Sequence, residues 1–467
     1  MSEPEKILLD PGILDLNVIK NIIDGKDNLY VISQDILYNG QSRERYSQLH
    51  NYFGKKLLPT YPNGCSVKLL NNYWEFSDNI VKSILDDHKT FQLYDRCNRF
   101  FFKSSSIKIL EIIPKIYNSI NWIKKYNPTR IVYMATPHHI DTWIFARVAE
   151  ELGIKINYFD QSILPWRYFL FEGMNNKRVP IDLKNLINHP DTEKDIKCYL
   201  QKKRGNTQTA LPPYVKYMRK KNKGKILNFR EEIKRYWKKP DIIINKYRCY
   251  KKLIQFVKPI DKKDRNYAIF FLHYQPERTT LPEAYGYSQQ TRAIMLLRNI
   301  LPQNIKLYIK EHPSIYSDFC SWRERTPKFY EYLNKIPNTA ILPLESSAYD
   351  LMDNAKFIAT IKGLVAHEAY LRGIPVILFS NLWLPFVDCN YVHHYEHPSK
   401  LKNFLNNINN NDKREIMKSA EIYINKIVQL SFAGNKKRPS HLTDAEYSRY
   451  QRKEAILNGI NNLIKSM

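Results

Sequence analysis

The chain has 467 residues, 43% of them hydrophobic and 25% charged; this is close to the globular average, so global disorder, collagen and coiled-coil classes are excluded and about two domains are expected. Lys and Arg number 73 against 46 Asp and Glu, a net charge of +27, which implies an anionic partner: nucleic acid, an anionic membrane surface or an anionic substrate. No window of 18 apolar residues and no signal-like start exist, and six cysteines stand singly without Cys-x-x-Cys or zinc spacing, which reads as a cytosolic protein with reduced thiols that neither spans a membrane nor is exported.

From Lys6 to about residue 200, short apolar runs alternate with longer amphipathic segments, the pattern of strands and helices in a parallel α/β sheet. Leu29–Ser33 reads as a strand. Arg130–Ala135 reads as another, followed by the polar turn Thr136-Pro137-His138-His139, a helix over Asp141–Leu152 ended by Gly153, and a strand Ile154–Phe159. This is a right-handed βαβ crossover.

Residues 201–265 break the pattern. They hold 22 Lys/Arg against 5 Asp/Glu, so 17 of the 27 net charges fall in one stretch, and Tyr214–Lys239 reads as a basic helix. Such a run is ordinarily a solvated face; the functional alternative is contact with anionic lipid headgroups, since Tyr214, Tyr217, Phe229 and Trp237 interleave aromatics with the cations.

A second α/β series follows. Its strands are Tyr267–Leu272, Ile305–Lys310, Thr339–Leu342, Lys356–Thr360 and Pro375–Phe379, with helices over Ser288–Asn299, Lys328–Lys335, Ala348–Asn354 and Val365–Arg372. Five strands with helices between them make a Rossmann-like domain. The expected organisation is a Rossmann-like domain at 1–200, a basic helical linker at 201–265, a second Rossmann-like domain at 266–400 and C-terminal helices at 401–467.

In open parallel sheets ligands bind beyond the carboxyl ends of the strands. Here those loops are His273–Thr280, Lys310-Glu311-His312-Pro313, Glu345-Ser346-Ser347, and Lys362-Gly363 leading into the helix that bears His367 and Glu368. Taken singly, His-Pro is a turn, Ser346-Ser347 an N-cap and Glu368 a solvent-facing residue. Four such loops on one sheet edge define a nucleotide pocket. Neither a G-x-G-x-x-G fingerprint nor a Walker A sequence is present, and no Asp-x-Asp pair occurs, which disfavours a dinucleotide oxidoreductase, P-loop hydrolysis and a metal held by that motif. Phosphate charge must then be met by Lys, Arg, His and backbone donors.

The segments HYQPERTT (273–280), LYIKEHP (307–313) and LPLESSAYDLMDNAKFIATIKGLVAHEAYLRGIPVILF (342–379) resemble bacterial capsular-polysaccharide glycosyltransferases of the GT-B fold, similar to enzymes using CMP-activated Kdo, sialic acid and other nonulosonic acids. The resemblance implies two Rossmann-like domains facing a cleft, a CMP-sugar donor, no cofactor, no metal, and a glycan or lipid-linked glycan acceptor. Combined with the basic, aromatic stretch at 201–265, the expectation is a cytoplasmic enzyme held peripherally at the inner face of the cell membrane, with residues 201–265 as the docking segment.

By the same resemblance His312 and Pro313 contact the CMP part of the donor, Ser346 and Ser347 hold its phosphate, and Glu368 meets the ribose hydroxyls. Gln275 and Glu277 lie in the loop facing the cleft, Glu277 as a further catalytic candidate, and Gln275, Lys310 and Gly363 belong to the nucleotide site. In the first domain, Tyr158-Phe159-Asp160-Gln161-Ser162 resembles a segment carrying an acidic-acidic-Gly motif. Gln161-Ser162 replaces the second acid and the Gly, and Asp160 is the expected general base, with His138, His139 and Asp141 as competitors. Lys362-Gly363-Leu364 departs from a Thr-Gly-Thr-like turn. A UDP- or GDP-hexose donor is the alternative, with Arg278 and Lys362 as the cations for its diphosphate; a nucleic-acid-binding protein is a third reading from charge, without an RRM, KH or helix-turn-helix signature.

Overall fold

The computed structural model describes residues 6–10, 29–32, 57–58, 74–97, 103–164, 167–174, 177–178, 192–205, 229–238, 240–260, 266–275, 277–316, 325–380, 387–408, 412–433 and 459. The chain divides into two compact units, one of residues 1–188 and 426–467, the other of 189–425. The boundaries differ from the expected 200 and 266. The helix at 192–204 and the basic helices belong to the second unit, and the chain returns to the first after residue 425.

In chain order the first unit has strands β1 (Ile7–Asp10), β2 (Leu29–Ile32) and β3 (Leu57–Leu58), then helices α1 (Trp74–Asp86), α2 (His88–Cys97) and α3 (Ser105–Tyr126). Strand β4 (Arg130–Tyr133), helix α4 (Ile140–Glu151) and strands β5 (Lys155–Gln161), β6 (Arg167–Glu172) and β7 (Lys177–Arg178) follow. Strand β4 is buried along its whole length and pairs in parallel with β1 and β5, Ile7 opposite Arg130 and Tyr133 opposite Tyr158. With β14 (Phe432–Ala433) contributed from near the end of the described chain, the sheet order is β14-β6-β5-β4-β1-β2-β3, with β7 on β6. Strands β1 to β5 are parallel, whereas β6 runs antiparallel to β5.

The second unit contains α5 (Thr192–Arg204), α6 (Phe229–Tyr236), α7 (Pro240–Phe256), β8 (Tyr267–Phe271), α8 (Gln290–Ile300), β9 (Lys306–Lys310), α9 (Pro327–Lys335), β10 (Thr339–Leu342), α10 (Ala348–Met352), β11 (Ile358–Thr360), α11 (Leu364–Leu371), β12 (Val376–Leu378), β13 (Val392–His394), α12 (Pro398–Asn407) and most of α13 (Lys413–Gln429). Its sheet is wholly parallel in the order β10-β9-β8-β11-β12-β13. Numbered from its own first strand this is 3-2-1-4-5-6, the doubly wound arrangement, with its switch point between β8 and β11. The sixth strand, β13, is an addition to the five expected. The core is built from the buried runs of these strands and the inner faces of α7, α8, α9 and α12, including Leu253, Phe270, Ile294, Ile309, Tyr330 and Leu401.

Two arginines fix α5 to this unit. Arg204, ending α5, donates to Leu371 O at the end of α11 (2.9 Å), while Arg372 donates to Lys203 O and Gly205 O (2.8 and 3.2 Å) at the end of α5. Each helix therefore has its carboxyl end capped by a cation from the other, favourable for both carbonyls and dipole.

The chain re-enters the first unit through β14 (Phe432–Ala433), which pairs antiparallel with β6. Arg167 is buried there and donates to Val428 O (2.6 Å) and Ser431 O (3.0 Å) at the end of α13. Burial pulls its guanidinium down to about 10. Gly459 packs against the rings of Phe159 and Phe432, where a side chain would collide with Phe159. Most of the expected basic helix Tyr214–Lys239, including Tyr214 and Tyr217, and the expected terminal helices beyond 433 lie outside the described residues.

Candidate functional site: the loops at the switch point of the second sheet

Strand β8 is buried throughout and delivers the chain to His273, which Gln290 at the start of α8 grips on both sides: His273 N donates to Gln290 Oε1 (2.7 Å) and Gln290 Nε2 to His273 O (3.3 Å). The imidazole then joins the two loops at the switch point. Its Nε2 accepts the backbone N–H of Lys362 at 3.0 Å, so Nδ1 carries the proton and donates to Glu277 Oε2 at 3.1 Å. The Thr279 hydroxyl lies 3.2 Å from the same nitrogen. Burial alone would raise the Glu277 carboxyl; the hydrogen bond from His273, the pull of His273 and His312 and the Thr279 hydroxyl reverse this and leave it below the ordinary value.

Beneath this pair, Lys362 Nζ forms an ion pair with Glu283, both almost wholly buried, and Arg278 Nε lies 3.3 Å from the other Glu283 oxygen. Burial opposes ionisation of Glu283, and the two cations outweigh it, holding the carboxyl low. The loop after β9 is fixed by a second buried pair. Arg325 Nε lies 2.7 Å from Glu311 Oε2, with both side chains nearly inaccessible, and Arg325 Nη2 donates to His273 O at 3.0 Å. Glu311 also accepts from Tyr330 OH (3.0 Å) and from the His312 backbone N–H (2.8 Å). Its lone pairs are thus well satisfied, as a buried carboxylate requires.

His312 is the half-buried tip of this loop. Burial lowers its ring to about 4, against the opposing pull of Glu277 and Glu311. Its Nδ1 accepts from Ser314 N at 3.2 Å, which makes Nε2–H a neutral donor at pH 7. The ring of Tyr274 lies 5.9 Å away, centroid to centroid.

Lys310 and Gln275 take different places from those expected. Lys310 ends a central strand and is buried, and its ammonium donates to Leu344 O (2.9 Å) and Glu311 O (3.3 Å). It therefore ties the loops after β9 and β10, because an ammonium below the surface must find acceptors there. Gln275 is also buried, donating to Thr280 Oγ1 at 2.8 Å, so it shapes its own loop. Glu283 meets both Arg278 and Lys362, so one of their two positive charges is already balanced.

Ser347 caps the short helix α10, accepting from Asp350 N at 3.4 Å, and Ser346 N donates to Pro343 O at 3.2 Å. Pro313 continues the His312 turn, which closes with Ile315 N donating to His312 O at 3.1 Å. Gly363 begins α11 without a side-chain cap. A β-carbon there would meet Thr360 Oγ1 and Val365 Cγ1 at 3.3 Å and the His273 ring at 3.5 Å, so glycine keeps the backbone amides of the switch point clear. Glu368 lies a turn and a half along α11, where Oε1 is 2.5 Å from Lys203 Nζ and accepts from Tyr349 OH at 3.2 Å. Sequence had pointed to a solvent-facing or ribose-facing carboxylate, but α5 packs over it.

In the first unit, Asp160 sits near the carboxyl end of β5 and takes the amide of Gln161 at 3.0 Å. On the neighbouring strand β4, the following loop carries His138 and His139 with ring centroids 4.4 Å apart. His138 Nδ1 lies 2.7 Å from Thr136 O, and Thr142 Oγ1 links to both N and O of His139, forming the start of α4. Asp141 is committed to an ion pair with Lys115 of α3 at 2.5 Å, which removes it as a free base. The structure therefore brings Asp160 and the two histidines to one sheet edge.

Glu283 and Arg325 are the site residues that sequence reasoning passed over, whereas His273 and Glu311 stand in the expected strand-end loops without a role of their own. His273 carried a signal, as the first polar residue after an apolar strand; Arg325 carried none, since it stands 14 positions from Glu311 in the sequence.

No family model matches the chain, and no curated protein matches it. Among solved structures it is similar to the UDP-GlcNAc 2-epimerase of Methanocaldococcus jannaschii in complex with UDP-GlcNAc and UDP, at 12% identity and TM-score 0.29 over 90% of this chain and 98% of that one. It is also similar to the β-Kdo 2,7 transferase structure of Thermosulfurimonas dismutans KpsC, at 12% identity and TM-score 0.31 over 85% and 97%. A third is Anabaena Alr3699/HepE in complex with UDP-glucose, at 10% identity and TM-score 0.28 over 99% of both chains. At these TM-scores no residue role transfers from them.

Proposed function

We propose that the protein is a GT-B glycosyltransferase that moves an acidic sugar, Kdo or a nonulosonic acid, from its CMP donor to a growing surface polysaccharide on a lipid carrier at the inner face of the cell membrane. The observation that carries this reading is the cross-tied set of loops at the switch point of the second sheet. His312 offers a neutral N–H there, α11 opens with uncapped amides at Gly363, and Ser346 and Ser347 stand after the neighbouring strand. These are donors suited to a nucleoside monophosphate. Glu283 already neutralises one charge of the Arg278 and Lys362 pair and Glu277 adds a negative charge, which favours a monophosphate over the diphosphate of a UDP- or GDP-hexose.

In this reading the acceptor oxygen attacks C2 of the sugar. The bond from C2 to the phosphate oxygen breaks with its electron pair, CMP leaves, and the acceptor proton passes to a carboxylate. Donors at His312, Ser346, Ser347 and the α11 amides stabilise the charge that grows on the departing phosphate. Asp160 is assigned as the general base.

Thermal melting with CMP, CDP, UMP, UDP and GDP tests the donor assignment. A nucleotide at 100 times its Kd stabilises by about 2.7 kcal/mol, so CMP should raise the melting temperature and the His312→Ala variant should lose that rise. Stabilisation by UDP or GDP and not by CMP would sink the donor assignment.

A further inference from the structure

Of the eleven exposed large hydrophobic side chains among the described residues, five lie between 229 and 258: Ile233, Trp237, Ile244, Tyr247 and Ile254. Trp237 is 67% exposed and Ile233 54%. Their spacing is helical. Ile233 and Trp237 are four apart, at the end of α6 and in the turn that follows it, while Ile244, Tyr247 and Ile254 recur along the outer side of α7. The inner side of α7 is a separate stripe, Ile242, Lys246, Cys249 and Leu253, buried in the unit. Lys252 pairs with Glu331 of α9 at 3.0 Å, and Lys258 N donates to Ile341 O of β10 at 2.8 Å. The helix is thus seated firmly on the second unit, and its outer stripe faces away from the core.

Cations fill the gaps between those apolar side chains. Arg230, Lys234, Lys238, Arg248, Lys251 and Lys258 are exposed, against Asp241 as the exposed carboxylate among the side chains described. Over residues 229–258 the sequence holds ten Lys/Arg and three Asp/Glu. Protein interfaces are depleted of charge at their centres, so a stripe that alternates Ile, Trp and Tyr with Lys and Arg is a poor fit to a protein partner. Nucleic acid would use the cations and leave the exposed isoleucines without a role. A lipid headgroup layer uses both: apolar side chains enter the acyl boundary while Lys and Arg stems snorkel to the phosphates.

We propose that α6 and the outer face of α7 form a docking face for an anionic lipid bilayer, with Ile233, Trp237, Ile244, Tyr247 and Ile254 entering the interface and the six cations contacting headgroup phosphates. The proposal owes to the functional reading above only a reason to visit a membrane; vesicle binding requires neither donor nor acceptor, so each can fail while the other stands.

The test is co-sedimentation of the full chain with vesicles of phosphatidylcholine alone and with about one third phosphatidylglycerol added. Binding should require the anionic lipid, weaken with salt, and drop about five-fold for each cation removed in a Lys234→Ser, Arg248→Ser, Lys251→Ser series. Trp237→Ser with Ile244→Ser should weaken binding about ten-fold or more. These side chains are exposed, so the variants should keep the parental melting temperature and CMP-induced shift. No binding to the anionic vesicles at low salt would overturn the proposal, as would binding that ignores the Trp237 and Ile244 substitutions. Competition by mixed-sequence RNA that is likewise indifferent to those substitutions would reassign the face to nucleic acid.

Discussion

The two sheets carry loops of opposite character at their carboxyl edges. In the second unit, the loops after four successive strands are bound to one another by buried cations: Arg325 to Glu311 and His273 O, Lys310 to Leu344 O, and Lys362 to Glu283. In the first unit the polar residues of the edge are tied within their own loop or to the helices beside it, Arg96 of α2 donating to His138 O at 2.5 Å. Asp160 takes the next amide, His139 starts a helix with Thr142, and Asp141 pairs with Lys115 on an adjacent helix. The difference is one of preorganisation: the second edge is held by buried ion pairs of the protein itself, the condition under which fixed donors meet charge without reorganisation. The first edge leaves its catalytic candidates in shallow, local arrangements.

The sharpest way to break this contrast is to remove a buried cation. Arg325→Met leaves Glu311 charged and buried and should cost about 3–5 kcal/mol in denaturant unfolding; a cost below about 1 kcal/mol would show that the clamp is dispensable. Asp160→Asn should leave CMP-induced stabilisation intact and lower turnover by roughly 10²–10⁴-fold; unchanged turnover removes it as the base. A third comparison uses pH. Burial lowers the folded His312 ring to about 4, whereas the unfolded ring takes its proton near the ordinary imidazole value of 6.5. Between these values the unfolded chain binds more protons, so stability falls as pH drops from about 6.5 to 4 and is unaffected by this group above 6.5. His393, also lowered to about 4 by burial, and His367, held well below 6.5, act in the same direction. His312→Gln should flatten part of that slope in melting curves, and an unchanged slope would show that His312 takes up no differential proton.

Gly363→Ala should cost about 1 kcal/mol by crowding Thr360 and Val365, with weakened CMP binding as the larger consequence; full retention of binding would separate the α11 amides from the ligand. The smallest effect is expected in the first unit. Lys115→Met breaks a pair with Asp141 in which both side chains keep about a fifth of their exposure, and it should change stability by under about 1 kcal/mol.

Five parallel strands of the second unit were legible because each is a short, mostly buried and largely apolar run punctuated by polar turns; Thr339–Leu342 matches its expected bounds to the residue. His312 and Gly363 were legible because the loop composition stands out from the strands around it. Val392–His394 escaped because a three-residue strand with two histidines has no apolar run to announce it. The buried roles of Lys310 and Gln275 escaped for a related reason. Whether a polar residue at a strand end turns toward ligand or toward a neighbouring carbonyl depends on the next loop, which local pattern does not contain. The Arg325–Glu311 pair and the β6–β14 ladder join residues distant in sequence, and neither leaves a periodic trace.

The return of the chain through β14 has a temporal consequence. A ribosome makes residues 189–425 between the two parts of the first unit, and Arg167, buried against Val428 O and Ser431 O, waits for acceptors that emerge more than 250 residues later. Domains ordinarily consolidate from the amino terminus during synthesis. Here the second unit can complete its sheet first, while the Arg167–Tyr168 end of β6 lacks its partner until β14 is delivered, so the first unit to begin is the last to close.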